Sequence, residues 1–299
     1  MRRCSRASHH FAQRIRYGFR TAHPIPRESL HPEMAVLQVR SRSEEKFRQW
    51  STNRGTNGQE RRSFQRIRKC RSMRGIDTTF DFHSDTPDGK DPDRYSPTMR
   101  RYQQLLWGKE LPTGGHFDLS PVRHHLEHHS SLGDFFLASD GFTTRLQKRA
   151  RRVIREIPDD ELPKWPGYTV GSAIVFPSNR VGGMMTINGA RGFLAKIADR
   201  PDLTVECIRR HYLGSQPNPL GKVLLRYEEF FKLFGDFKGY VEFFLLQDLL
   251  QDDGTVRFFH PFDDFKTPAV PKNKDEYLSY LQASIDFIGA RNSRIDREP

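Results

Sequence analysis

The chain has 299 residues and a formal net charge of +12, from 49 Lys and Arg against 37 Asp and Glu, and its length sets one or two domains. The charge is unevenly placed: residues 1–72 hold 18 of the basic side chains and 5 of the acidic ones, leaving 31 against 32, so the body has no electrostatic case for binding nucleic acid. Only three cysteines occur, too few for a disulfide framework, and no run of about eighteen apolar residues is available to span a membrane, which fits a reducing cytosol.

Residues 1–72 are poor in Leu, Val and Ile and rich in Arg, Ser and Gln. Such a composition cannot bury enough apolar area to offset chain entropy, so disorder is expected. Three readings of this segment compete. Translation begins at Met73; or Phe11, Ile15 and Phe19 form one face of a transit peptide; or Arg61, Arg62, Arg66, Arg68, Lys69 and Arg71 form a tail for nucleic acid. The abrupt change of composition at Met73 favours the first.

The body, residues 73–299, holds 19 of the 23 Phe and reads as a single domain. Alternation over residues 79–83 predicts a half-buried strand, followed by a loop rich in Asp, Pro and Gly to residue 94. Ser96-Pro97 is an N-cap with Pro in the first helical position, and Met99, Tyr102, Leu105 and Leu106 supply the stripe of a helix ending near Gly108. A strand is predicted over 132–139, a basic helix over 143–157, and a central strand over 168–176 between Gly167 and Pro177. Helices follow over 189–198 and from Pro201 to Gly214, then a pair over 219–234 and 237–250, a short strand over 256–260, and a last helix over 274–288. Strands in the first half and helices in the second predict an α+β fold: a single domain with a mixed sheet and a mainly helical C-terminal half.

The stretches Asp77-Thr-Thr-Phe-Asp-Phe, Ser84-Asp-Thr-Pro-Asp-Gly-Lys-Asp-Pro-Asp, Ser96-Pro-Thr-Met-Arg-Arg-Tyr, Thr186-Ile-Asn-Gly-Ala-Arg-Gly-Phe, Glu206-Cys-Ile-Arg-Arg-His-Tyr and Phe259-His-Pro-Phe-Asp-Asp-Phe-Lys run through the body. Together they resemble a bacterial family of proteins of unknown function, whose members begin just before the Asp-Thr-Thr-Phe-Asp-Phe stretch. Gln103 and Leu194 stand where such relatives more often have His. The resemblance implies no activity, cofactor or catalytic residue, and the cofactor stays unknown.

Four constellations bear on chemistry. Asp77, Asp81, Asp85, Asp88, Asp91 and Asp93 suit a hard metal, but no known loop spacing fits, and Asp beside Pro and Gly is ordinary turn chemistry. His124, Glu127 and His128 spell H-x-x-E-H, two His one helical turn apart around a Glu, with Glu206 as a third zinc ligand; exposed His is the plainer reading. Asp263, Asp264 and Lys266 contain the (D/E)-x-K of Mg²⁺-dependent nucleases, or else a loop closed by a local ion pair. Finally, Gly182, Gly183 and Gly189 surround a predicted helix start, and Arg180, Asn188, Arg191, Lys196 and Arg210 lie in a stretch with an excess of basic residues. This pattern predicts a site for an anionic or phosphorylated small molecule, which the protein binds and in one reading hydrolyses; the alternative is a turn whose Arg residues pair with acids elsewhere. The rival functions are a metal-dependent nuclease and a non-catalytic interaction module built on the Tyr227–Leu250 aromatics.

Overall fold

The computed structural model describes residues 75–298 apart from 124, 142, 143 and 180, and not the side chains of 144, 145 and 147. The described residues all fall in the compact unit Gly55–Pro299. Expectations placed on residues 1–72, on His124 and on Arg180 lie outside them.

The Asp-rich opening is not a strand. Asp77 accepts from Thr79 N, and Asp81 accepts from both His83 N and His83 Nδ1, so short Asp side chains take the backbone donors that a ladder would need. A 3₁₀ turn, Phe82–Asp85, results. Asp91 caps α1 (Pro92–Tyr95) and Ser96 caps α2 (Pro97–Trp107), with Pro in the first turn of each. Asp85 accepts from Ser96 Oγ at 2.6 Å and Thr98 N at 2.9 Å, fixing the entry to α2. The stripe of α2 buries Met99, Tyr102, Leu106 and Trp107.

The sheet is a meander of β1 (Ser120–Val122), β2 (His125–Ser130), β3 (Gly133–Gly141) and β4 (Ala173–Pro177), in the order β1-β2-β3-β4 and antiparallel throughout. Strand β4 is therefore at one edge of the ladder rather than at its centre, although all five of its residues are buried. Along β3 the burial alternates, so Phe135, Leu137 and Ser139 face inward while Asp140 points to the other face. The basic segment between β3 and β4 forms two short helices, α3 (Thr144–Arg149) and α4 (Arg151–Arg155).

Beyond β4 the chain is helical: α5 (Ile187–Phe193), α6 (Pro201–Tyr212), α7 (Gly221–Leu225), α8 (Glu228–Lys232), α9 (Phe237–Phe243) and α10 (Lys274–Ile295). The predicted helix pair over 219–250 is broken into short pieces because its apolar residues point in all directions into the core. Phe230, Phe231, Phe234, Tyr240 and Phe244 are each at most 1% exposed and meet ring to ring at 5.0–6.4 Å. Each buried ring contributes roughly 1.5–3 kcal/mol through removal of apolar area from water. The strand predicted over 256–260 is reduced to one bridge, Leu250 to Val256.

Helix α10 locks onto the sheet through Arg291, which is fully buried. Its guanidinium donates to the carbonyls of Phe244 and Leu245, past the end of α9, and to those of Gly171 and Ala173, where β4 begins. Carbonyls at a helix C-terminus carry partial negative charge, which compensates a cation with no carboxylate in contact. Burial still pushes Arg291 down to about 10. Among the described residues no helix is long and apolar enough to cross a membrane.

Candidate functional site

Helix α5 does not offer its N-terminus to a ligand. Thr186 caps it, accepting from Gly189 N at 3.2 Å, and Arg191 turns inward and is completely buried. Its Nη1 reaches Asp140 Oδ2 at 2.7 Å and Asp199 Oδ1 at 2.9 Å, its Nε donates to Thr204 Oγ1 at 3.1 Å, and its Nη2 donates to Asp199 O at 3.0 Å. Burial would lower the Arg191 pKa, but Asp199 and Asp140 hold it above the ordinary value. The residue expected to bind an anion is thus an internal counter-ion.

The other cations of this stretch are similarly engaged. Arg200 is buried against Asp202 and donates to His260 O at 3.1 Å; Arg209 and Arg210 both clasp Glu206. Arg210 also donates to Pro217 O at 2.8 Å and pairs with Asp264 Oδ1 at 2.7 Å. Among the described basic residues of 180–211, Lys196 alone makes no ion pair or hydrogen bond; it is exposed.

Lys196 opens onto a cleft of about 520 Å³, between the α5–α6 connection, the loop after Val256 and the start of α10. Arg200, His260, Phe262, Asp263, Lys272 and Glu276 are among the residues that line it. Of the three acids in the wall, Asp263, Asp275 and Glu276, two are already committed. Asp263 accepts from Lys266 N, Thr267 N and Thr267 Oγ1 at 3.1, 2.9 and 2.6 Å, and the Thr267 hydroxyl in particular lowers its pKa. Glu276 accepts from Lys272 N at 2.7 Å and Asn273 Nδ2 at 3.0 Å, completing the cap of α10, and lies 3.5 Å from His260 Nε2. Burial and then the charge of Arg200 depress the His260 pKa. Lys272, like Lys196, is exposed and its ammonium has no acidic partner among the described residues.

The nuclease triad does not assemble. Asp263 serves as a loop brace, Asp264 pairs with Arg210, and Lys266 is an exposed side chain on a turn where Asp264 and Phe265 have positive φ of 60° and 58°. Nor does H-x-x-E-H stand on a helix. In β2 the period is two, so Glu127 and His129 share one face and His128 faces the other. His128 is buried against Phe117, ring centroids 4.3 Å apart, with Nδ1 bonded to Asp118 O at 3.1 Å. Glu206 is occupied by its two arginines, and among the described residues no three His, Cys, Asp or Glu converge as metal ligands.

A second polar cluster lies at the C-terminal end of β3 and was not visible as a unit in the sequence. Asp93 Oδ1 accepts from Tyr168 OH and, at 2.7 Å, from Ser139 Oγ, which in turn accepts from Gln103 Nε2 at 3.0 Å. Asn188 Nδ2 donates to Ser139 O at 3.2 Å, so this expected ligand residue belongs here. Burial and then neighbouring Asp91 raise the Asp93 pKa well above the carboxylate range. Burial, opposed by Arg191 and helped by Asp199, pushes Asp140 up to about 7. Tyr168 is raised by burial and by the charges of Asp93 and Asp140. The sequence signals were faint: Gln103, an amide on the buried face of α2, and Asp91-Pro-Asp93, which reads as a turn.

The fold and cleft define an α+β protein with a four-stranded antiparallel meander and a pocketed helical half. The chain belongs to a family of unknown function (DUF6994), which it matches over residues 76–295. No curated protein and no solved structure matches it.

Proposed function

We propose that the protein binds an anionic small molecule, a phosphate ester being the chemistry that fits best, in the cleft beside Lys196. The observation that carries this reading is the balance of free charge in the wall: Lys196 and Lys272 bring two unpaired ammonium groups to a space of about 520 Å³, while Asp263 and Glu276 are taken up by the loop and the helix cap and Asp275 leaves one carboxylate against them. Ammonium groups act as point charges for phosphate, and backbone turns beside them add donors. A cytosolic setting is part of the same proposal, supported by Cys207, a buried free thiol whose pKa is raised by burial.

Thermal-shift measurements with AMP, ATP, glucose 6-phosphate and pyrophosphate test it. A ligand at about 100 times its Kd adds roughly 2.7 kcal/mol of apparent stability by mass action. The double substitution Lys196→Ala, Lys272→Ala is expected to abolish the shift while leaving the unliganded melting temperature unchanged, since neither ammonium is paired. A shift that survives the double substitution, or no shift with any of the four compounds, would remove the cleft as the anion site.

A further inference from the structure

The cleft beside Lys196 is not polar throughout: Leu203, Phe262, Phe265, Pro268, Ala269 and Val270 also line it. Phe262, Ala269 and Val270 pack against the main core yet are only half-buried, so each keeps apolar surface outside that core. A space of about 520 Å³ is much larger than a phosphate group alone requires. Ligand pockets of this size are mostly apolar, with a few polar groups fixing one end of the occupant.

The backbone brings the cations and the apolar wall together. Ala269 N donates to Ala195 O at 2.9 Å, which sets the stretch 268–270 directly against Lys196. On α6, Leu203 follows Arg200 by three residues and so shares its face. Arg200 is 1% exposed; its Nε and Nη2 grip Asp202, and Nη2 also donates to His260 O at 3.1 Å. Nη1, on the opposite edge of the guanidinium, has no acceptor among the described residues. A buried N–H group in that position is normally completed by a water or a ligand. The three acids of the wall stand on the loop and at the start of α10, whereas Lys196, Arg200 and Leu203 form a side with cations and no acid. The aromatic part is set in advance: the Phe262 ring lies 4.2 Å from Phe258 and 4.8 Å from Phe265, and Arg210, paired with Asp264, stands 5.6 and 5.1 Å from Phe262 and Phe265. A ligand meeting these rings has little side-chain ordering to offset.

We infer that the ligand of this cleft is a phosphate monoester of an apolar alcohol, alkyl or aryl, rather than a sugar phosphate or free phosphate. Its phosphate sits between the Lys196 ammonium and Arg200 Nη1, and its hydrocarbon body lies along Leu203, Phe262, Ala269 and Val270. The inference rests on the anion reading of the cleft and adds the part of the ligand that sets selectivity. The hydroxyl groups of a sugar would give up water against these side chains without gaining partners, which is unfavourable, whereas a hydrocarbon chain gains by leaving water.

Calorimetric titration of the full chain with methyl, butyl and hexyl phosphate, with glucose 6-phosphate and with hexanol tests it. With the head group constant, each methylene moved from water onto the wall tightens binding roughly two- to fourfold, so hexyl phosphate is expected to bind about thirtyfold or more tightly than methyl phosphate. Hexanol, which lacks the charge, is expected to bind far more weakly than its ester. Val270→Thr nearly preserves the shape of the wall and adds a hydroxyl; it should weaken hexyl phosphate by about threefold or more and leave methyl phosphate unchanged. Lys196→Ala should weaken both esters alike. Equal affinity for methyl and hexyl phosphate, glucose 6-phosphate as tight as hexyl phosphate, or hexyl phosphate unaffected by Val270→Thr overturns this inference and leaves the anion site standing. Hexanol binding as tightly as its ester, or no binding of any phosphate, removes the anion site and this inference with it.

Discussion

Replacing Arg191 by Met removes the guanidinium, and with it the stacking of Cζ over the Phe176 ring at 5.7 Å, but keeps most of the apolar stem. What is lost is the partner of Asp140 at 2.7 Å and of Asp199 at 2.9 Å, together with the donors to Thr204 Oγ1 and Asp199 O. Asp199 is 1% exposed and cannot recover its hydration, while Asp140 is partly open and can take up a proton. Removing one partner of a buried pair costs about 3–5 kcal/mol; with Asp140 able to neutralise itself, a loss of about 3–4 kcal/mol is expected. With a urea m-value of roughly 2 kcal/mol/M, the midpoint falls by about 1.5–2 M. A second change, Asp199→Asn, should restore part of this loss, because the stranded charge rather than the missing contact dominates; a double-mutant cycle reads that coupling directly. If Arg191→Met shifted the midpoint by less than the equivalent of about 0.5 kcal/mol, the side chain would be behaving as an exposed residue and the buried network would be refuted.

Gly171 sits against α10 with no room for a methyl group: a Cβ there would stand 2.0 Å from Asn292 Oδ1 and 3.2 Å from Ile288 O. Gly171→Ala should therefore cost about 2–3 kcal/mol through overpacking, seen as a lower urea midpoint, and an unchanged midpoint would show that α10 is not held this closely. The pH dependence carries the signature of Asp140. Its folded pKa of about 7 lies above the ordinary carboxylate value of 3.8, so the folded state binds a proton that the unfolded chain has released; the associated stability is present at the acid end and is lost as pH rises from about 4 to 7. After allowance for its partial exposure, the effect is roughly 1–2 kcal/mol. Asp81, Asp253 and Asp263, whose pKa values are lowered, act with the opposite sign, so the test is the difference between the native chain and Asp140→Asn over that range; parallel curves would contradict the assignment.

Helix α2 was legible because its start is chemical: Ser96 Oγ accepts from Met99 N just as an N-cap followed by Pro predicts. Helix α6 was legible for the same kind of reason, with Pro201 at its start and Gly214 just past its end. Strand β2 was obscured because four His in six residues carry little hydropathy contrast, and its alternation shows only as the burial of Leu126 and His128 between exposed or half-buried neighbours. Residues 79–83 had the right alternation and the wrong competitors, since Asp77 and Asp81 satisfy the local backbone themselves. At the sites, Lys196 and Arg191 were both expected to bind an anion; Lys196 is exposed beside the cleft, but Arg191 was misread. Its principal partner lies 51 residues away on a different element, and a count of charges along one segment has no access to that pairing.

That misreading has a physical content of its own. The body is nearly neutral not because it lacks charge but because its ions are matched across the interior, and the matching runs from the end of β3 to the cleft. Asp140 holds Arg191, Arg191 holds Asp199, and the next residue, Arg200, is bound to Asp202, whose Oδ2 also accepts from Phe259 N at 3.0 Å. Arg200 donates to the carbonyl of His260, so the wall of the cleft hangs from the same ionic chain that begins beside β3. Buried ion pairs of this kind rarely add stability over well-packed apolar residues of similar volume, because desolvation offsets most of the Coulombic gain. Their effect here is positional. A loop with Pro261 and Pro268 and two residues at positive φ has few backbone bonds of its own, and the Arg200–Asp202 pair supplies two of the bonds that fix where it sits. The lysines at the mouth can remain unpaired because the geometry around them is set by charges deeper in the fold.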